Sequence, residues 1–260
     1  MSRFQSVSSV KIVPSKPVKI SVEGNIGSGK STFLNYFKQF SFVETYYEPL
    51  EKWRDVQGHN LLQLLYTDMS KWAATFQSYV QLTRTQIQTS KPRAETKIQM
   101  FERSIQNNRH CFLENAYENG YILPAQYFVL CKWYEWIKQN NDISLDLIVY
   151  LKTSPEVVHK RVLSRNRPEE SISLKYVQSI HDAHENWLSS SNLKVPVFVV
   201  DADKQFAEVI NVCQKNLPSL FDPETVGNKY FIFFFFMYVI NMMKNLNNQL
   251  NMFFFLTTDK

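Results

Sequence analysis

Apolar positions along the chain follow two alternating patterns. Short apolar-rich runs read as strands at Lys19 to Glu23, Phe42 to Tyr46, Ile98 to Glu102, Leu145 to Leu151 and Val195 to Val200. Between them lie longer amphipathic stretches that read as helices. These begin at Lys30 and at Asn60, and continue as Ala73 to Gln88, Ile105 to Glu118, Gln126 to Gln139, Ser154 to Ser164 and Leu174 to Ser189. Strand and helix in turn predict an α/β fold, a parallel sheet flanked by helices. With 260 residues, no repeat and no long linker, the chain predicts one large domain over residues 18–225.

The two ends break this pattern. The first 19 residues hold four basic side chains, several serines and no Asp or Glu, the composition of a mitochondrial transit peptide. Only about 17 residues precede the first strand, however, and such leaders are commonly longer. Residues 1–17 therefore read as a flexible arm of a cytoplasmic or nuclear protein, with mitochondrial import as the alternative. Residues 226–260 are dominated by Phe, Asn and Met, with eleven consecutive apolar residues from Tyr230 to Ile240. A membrane-spanning helix needs roughly 20, so this tail reads as disordered low-complexity chain rather than an anchor.

Charge and cysteine content narrow the classes further. A net charge of +5 without a long basic run argues against a protein that coats nucleic acid and suits a small polyanionic ligand. Three widely spaced cysteines, Cys111, Cys131 and Cys213, argue against a disulfide framework or a zinc site.

The first strand runs into Gly24-Asn25-Ile26-Gly27-Ser28-Gly29-Lys30-Ser31-Thr32, which fits GxxxxGK[ST] at a strand-to-helix junction. Glycines let successive backbone N–H groups converge on phosphate oxygens, and the following helix adds its positive dipole end. Lys30 would reach the β and γ phosphates, and Ser31 would hold Mg²⁺. The fold expected is thus a P-loop NTPase-type parallel sheet. A guanine-reading NKxD motif is missing from the domain, and no apolar strand ends in Asp-Glu as a motor ATPase would require: Asp201 is followed by Ala202. A small-molecule kinase remains.

Such a kinase needs a base for the acceptor hydroxyl, cations on the transferred group and an acceptor pocket. Glu48 ends the second strand, at the sheet edge where α/β proteins bind ligands, although a surface glutamate before Pro49 would look the same. Glu102 and Arg103 close the third strand: Glu102 could join the Mg²⁺ shell and Arg103 could orient Glu48, while the plainer reading is a surface ion pair. Arg165 and Arg167 sit in a cation-rich helix end running into Pro168, read either as a short Arg-rich lid or as a solvated helix face.

The segments EGNIGSGKST, EPLEKW, FQSYV, FERS, YLKTSPE and RNRPEES, in this order from about Lys19 to about Phe221, resemble the deoxyribonucleoside kinase family. The resemblance implies ATP- and Mg²⁺-dependent phosphorylation of the 5′-hydroxyl of a small-molecule deoxynucleoside. It casts Glu48 as general base, Arg103 as its neighbour, Glu102 as the Mg²⁺-associated glutamate, and Arg165 and Arg167 as lid arginines. By the same resemblance Gln77 hydrogen-bonds the base, Trp53 and Phe112 sandwich it, and Leu65 and Val80 line its pocket. Tyr66 and Glu170 hold the sugar 3′-hydroxyl, with Tyr66 crowding the 2′ position. The loop from Asp201 through Asp203 to Lys204 would contact adenine. Thymidine-accepting members carry apolar residues where this chain has Arg84 and Asn108, so a preference for deoxycytidine or deoxypurines is expected. Asn108 replaces an acidic residue there, which would leave Arg84 without its charge partner. A nucleoside monophosphate kinase and a non-catalytic nucleotide switch are the rival readings.

Two further signals take their plainer meaning. His181 and His184 share a helix face with Val177 and Leu188 and read as packing or surface groups, since no third ligand accompanies them. Trp133-Tyr134-Glu135-Trp136 reads as helix core or dimer surface, and the family resemblance implies a homodimer built on helices of this region.

Overall fold

The computed structural model describes residues 16–168 and 172–216. Glu170, residues 1–15 of the N-terminal arm and the segment 226–260 lie outside the described residues. The chain divides into a unit Pro17–Val209 and a second comprising Met1–Lys16 and Ile210–Lys260. Of the second, Lys16 and the closing turns of the last helix are described.

Five strands, β1 (Val18–Glu23), β2 (Val43–Tyr46), β3 (Ile98–Glu102), β4 (Leu147–Lys152) and β5 (Val197–Asp201), form one sheet in the order β2-β3-β1-β4-β5. Every pairing is parallel. The central strands β1 and β3 are buried along almost their whole length, although Lys19, Ser21 and Glu23 of β1 and Gln99 and Glu102 of β3 are polar. Within β1, Ser21 donates to Glu23 Oε1 at 2.5 Å and is thereby satisfied inside the core. All five strands point the same way, so the chain leaves β1, β2 and β3 along one edge. That edge receives Gly24, Glu48 and Arg103 together.

The helices are α1 (Lys30–Phe37), α2 (Leu50–Arg54), α3 (Leu61–Thr67), α4 (Met69–Gln88), α5 (Ile105–Asn107), α6 (Glu114–Glu118), α7 (Pro124–Asn140), α8 (Pro155–Arg165), α9 (Leu174–Leu188) and α10 (Phe206–Asn216). Their starts follow from side-chain chemistry. Asn60 caps α3 by accepting from Gln63 N, Asp68 caps α4 by accepting from Lys71 N, and Ser173 caps α9 by accepting from Tyr176 N. α7 and α8 open on proline, whose missing N–H costs nothing in the first turn.

Several boundaries differ from the sequence pattern. α4 begins four residues before Ala73, because Asp68 supplies the cap. β5 starts at Val197 rather than Val195, since Pro196 has no N–H to donate and instead accepts from Ile148 N through its carbonyl. β4 starts at Leu147 because Asp146 is occupied with the Lys19 backbone, accepting from its N–H and donating to its carbonyl. α2 and α10 are additional. The single helix expected over Ile105 to Glu118 is interrupted by a widened π-helical turn, Asn108–Leu113, a feature frequent at functional sites.

His184 is fully buried in α9. Its Nδ1 donates to the Ile180 carbonyl at 2.7 Å, which leaves Nε2 to accept from Asn107 Nδ2 at 2.9 Å. The ring stacks on Tyr150 with 5.8 Å between centres. In α7 Tyr134 is buried, whereas Trp133 and Trp136 are 55% and 54% exposed.

Burial holds the His184 imidazole neutral, lowering its pKa from 6.5 to about 3. Its contribution to stability is complete above pH 6.5 and is lost as pH falls from 6.5 toward 3, at about 1.4 kcal/mol per pH unit. Chemical denaturation at pH 7 and pH 5 should therefore show the parent losing about 2 kcal/mol more than His184→Gln. Equal losses in the two proteins would refute the assignment.

Candidate active site

One cavity of about 620 Å³ opens along the carboxyl edge of the sheet, within the usual size of a small-ligand site. Residues 26–32 of the glycine loop form its floor at the phosphate end. Gly24 has φ +146°, and a Cβ there would lie 2.6 Å from Ser28 Oγ and 2.8 Å from the Leu151 carbonyl, so only glycine fits. Gly27, at φ +82°, lies against α8, where a Cβ would come within 3.1 Å of Val162. Asn25 is structural: its side chain donates to the Val177 carbonyl and accepts from Ile26 N, tying the loop to α9. Lys30 Nζ donates to the Asn25 carbonyl at 2.6 Å. Burial, followed by the nearby Arg103, lowers this lysine's pKa from 10.5 to about 7.

Glu48, half-buried beyond the end of β2, occupies the middle of the cavity edge. Its Oε1 accepts from Arg103 Nη1 at 2.6 Å and from Arg84 Nη2 at 2.5 Å. Burial alone would raise this carboxyl, but Arg103, Arg84 and Lys30 outweigh it and bring the pKa down to about 2. The group is therefore an ionised carboxylate at any physiological pH. The expectation that Arg84 would face Asn108 without a charge partner is corrected here. Arg84 pairs with Glu48, donates to the Glu102 carbonyl at 3.0 Å, and lies 5.5 Å over the Trp53 ring.

Arg103 has φ +59°, a left-handed conformation that costs a non-glycine residue on the order of 1 kcal/mol or more. The twist ends the strand alternation and returns the guanidinium toward β1, where Nε and Nη2 donate to the Gly24 carbonyl at 3.3 and 3.1 Å. The same group sits 4.8 Å over the Phe112 ring. Glu102 faces the loop instead, accepting from Ser31 Oγ at 2.7 Å. A hydroxyl and a carboxylate are hard oxygen donors, and Mg²⁺ is held by one or two such groups plus phosphate oxygens and water, so this pair fits that ion.

The remaining predicted residues divide by position. Trp53, Leu65, Tyr66, Gln77, Val80 and Phe112 line the cavity away from the phosphate loop. Trp53 is fixed by its Nε1 donating to Thr83 Oγ1 at 3.0 Å and by edge contact with Phe76. Asn108 is not in the cavity lining: on the π-helical turn it stands behind Gln77, donating to Gln77 Oε1 at 2.6 Å. Arg165 and Arg167 line the phosphate end and are joined by Arg161. Asp201 and Asp203 do not line the cavity, although Ala202 and Lys204 do. Asp203 accepts from Ser154 N, and Arg161 donates to the Ala202 carbonyl, which ties this loop to the start and middle of α8.

Sequence reasoning passed over Arg161, Tyr176 and Phe76 as lining residues. Arg161 belongs to the same cation-rich helix end as Arg165, one turn earlier, and could have been found by that spacing. Nothing in sequence marks Tyr176, which reaches the cavity from the first turn of α9.

Similarity to known proteins extends over nearly all of this architecture. The family model described as deoxynucleoside kinase matches residues 20–217. Thymidine kinase 2, mitochondrial, of Homo sapiens is 43% identical over 209 residues, 79% of this chain and 78% of that protein. Deoxycytidine kinase of Mus musculus is 34% identical over 222 residues, covering 73% and 85% of the two chains. Deoxyguanosine kinase, mitochondrial, of Xenopus laevis is 34% identical over 221 residues, covering 72% and 82%. These relatives differ in the nucleoside they are named for and are all named as kinases, and the family model spans β1 through α10: the chain belongs to the deoxynucleoside kinase family.

Proposed function

We propose that the protein transfers the γ-phosphoryl group of ATP to the 5′-hydroxyl of a 2′-deoxynucleoside, releasing ADP and a deoxynucleoside monophosphate, and that it prefers deoxycytidine or deoxypurine nucleosides to thymidine. The observation that carries this reading is the opening of Glu48, Arg103 and Lys30 into one cavity, with aromatic walls at one end and a phosphate loop at the other.

Both guanidinium bonds fall on Glu48 Oε1, which leaves Oε2 to the acceptor hydroxyl. The hydroxyl donates to this oxygen, its own oxygen bonds to the γ-phosphorus, and the bond to the ADP oxygen breaks. The proton passes to Glu48 as the new bond forms. A carboxylate with a pKa of about 2 is a weak base, which is compatible with a loose transition state where the alcohol proton becomes acidic only late. Lys30, Arg161, Arg165 and Arg167 line the phosphate end and would stabilise charge on the transferring group. Ser31 and Glu102 would hold Mg²⁺, which when bound supplies positive charge to the β and γ phosphates.

The base would lie between Trp53 and Phe112 with its edge on Gln77, whose amide orientation Asn108 fixes. Tyr66 would limit the sugar to one without a 2′-hydroxyl. Support for the base preference comes from Arg84: a thymine methyl gains about 0.8 kcal/mol when buried against apolar surface, and a buried guanidinium offers none. The exposed apolar residues of α7, Phe128, Val129, Trp133 and Trp136, support a homodimer. For compartment, the cytoplasm or nucleus remains our reading, with mitochondria as the alternative that the names of two relatives favour.

Three outcomes test the reading. Glu48→Gln keeps an oxygen for both arginines and cannot take up a proton, so turnover should fall at least about 10²-fold with nucleoside affinity largely kept. Near-normal turnover would remove Glu48 as base. Steady-state assays over four deoxynucleosides and their monophosphates should rank deoxycytidine or a deoxypurine first, by up to about tenfold over thymidine. Thymidine as best substrate would overturn the preference, and turnover of monophosphates alone would make the enzyme a monophosphate kinase. Sedimentation should give twice the chain mass, and Trp133→Glu with Trp136→Glu should halve it; a monomeric parent would refute the dimer.

A further inference from the structure

Glu23 ends β1 with no exposed surface and lies outside the cavity lining. Its Oε1 accepts three hydrogen bonds, from Ser21 Oγ at 2.5 Å, Ser104 N at 3.0 Å and Ser104 Oγ at 2.7 Å. The other oxygen, Oε2, is buried and has no hydrogen-bond partner among the described residues. A carboxyl group so placed is costly for a core, and hydrophobic packing alone would be served better by an apolar side chain. What it holds explains its presence.

Ser104 directly follows Arg103, the residue in the left-handed conformation. On the other side of that twist, Arg103 N donates to the Val22 carbonyl at 3.0 Å. The strained residue is thus clamped fore and aft by the last two residues of β1. Ser104 Oγ also accepts from Asn107 N at 3.1 Å, so the same serine caps α5, and Asn107 continues the chain of contacts to His184. Released from Glu23, Ser104 would lose both of its bonds to β1, and the Arg103 backbone could relax to an ordinary conformation. Its guanidinium would then leave Glu48 Oε1 and the Gly24 carbonyl.

We propose that Glu23 is a positioning residue for phosphoryl transfer: through Ser104 it holds Arg103 in its left-handed conformation, and so aims the guanidinium at both Glu48 and the phosphate loop. This rests on the assignment of Glu48 and Arg103 given above. Glu23 touches neither substrate, so its removal should act on turnover and leave binding alone.

The test is a set of variants of the full chain. Glu23→Met should lower kcat by about 10²-fold, the scale expected when a reacting group is misplaced by an ångström, with KM for nucleoside and ATP within about threefold of the parent. Glu23→Gln, which keeps one oxygen for the three donors, should retain clearly more turnover than Glu23→Met. On an Arg103→Ala background Glu23→Met should cost little further turnover, because its effect passes through Arg103. Ser104→Ala removes one of the two Ser104 donors and should give the same pattern with a smaller loss, and it stands in if Glu23→Met does not fold. Equal losses from Glu23→Met, or from Ser104→Ala in its place, with Arg103 present and absent would show a merely structural role and overturn the proposal. So would a rise in KM with kcat unchanged. Because the cycle is run against Arg103, its outcome can be read whether or not Glu48→Gln abolishes turnover.

Discussion

A single carboxylate oxygen, Glu48 Oε1, receives two buried guanidinium groups, and the rest of the site is arranged around that fact. Burying one arginine without an anion is costly, and burying two side by side is worse. Glu48 offsets both. In return the two cations, with Lys30 behind them, keep it ionised in a partly desolvated pocket. The carboxylate is therefore part of the scaffold as well as the base we propose. Taking away its charge disturbs the placement of two cations along with any proton transfer.

Sheet topology makes this convergence cheap. β3 and β1 are neighbours in register, Val22 beside Glu102, so the residues after each strand emerge within hydrogen-bonding reach. Gly24 follows one and Arg103 the other, and the guanidinium crosses the gap to the Gly24 carbonyl. β2, on the far side of β3, delivers Glu48 to the same edge. Beneath these groups runs a buried polar chain, Glu23 to Ser104 to Asn107 to His184, where an apolar core might have been expected. Such networks fix one arrangement where greasy contacts would permit several.

Much of this was legible in the sequence because it is local. The glycine loop, the alternation of strand and helix, and Glu48, Glu102 and Arg103 at strand ends all follow from short-range spacing. What was not legible depends on contacts between distant segments or on backbone geometry. Arg84 was assigned by its sequence position to Asn108, but from α4 its guanidinium meets Glu48, 36 residues away in sequence, while Asn108 turns to Gln77. The π-helical turn is invisible to a 3.6-residue period, since its extra residue shifts which side chains face the cavity without altering composition. Cap residues moved α4 by a full turn, and proline delayed β5, effects that are written in the sequence but were outweighed by apolar patterning.

Lys30 carries one more consequence. With its pKa lowered to about 7 and its ammonium donating to the Asn25 carbonyl, it would take up charge on meeting the polyphosphate we propose. Nucleotide association is then linked to proton uptake from solution. The heat measured on binding at pH 7 will accordingly vary with the ionisation enthalpy of the buffer, and affinity will weaken under alkaline conditions where that ammonium is scarce.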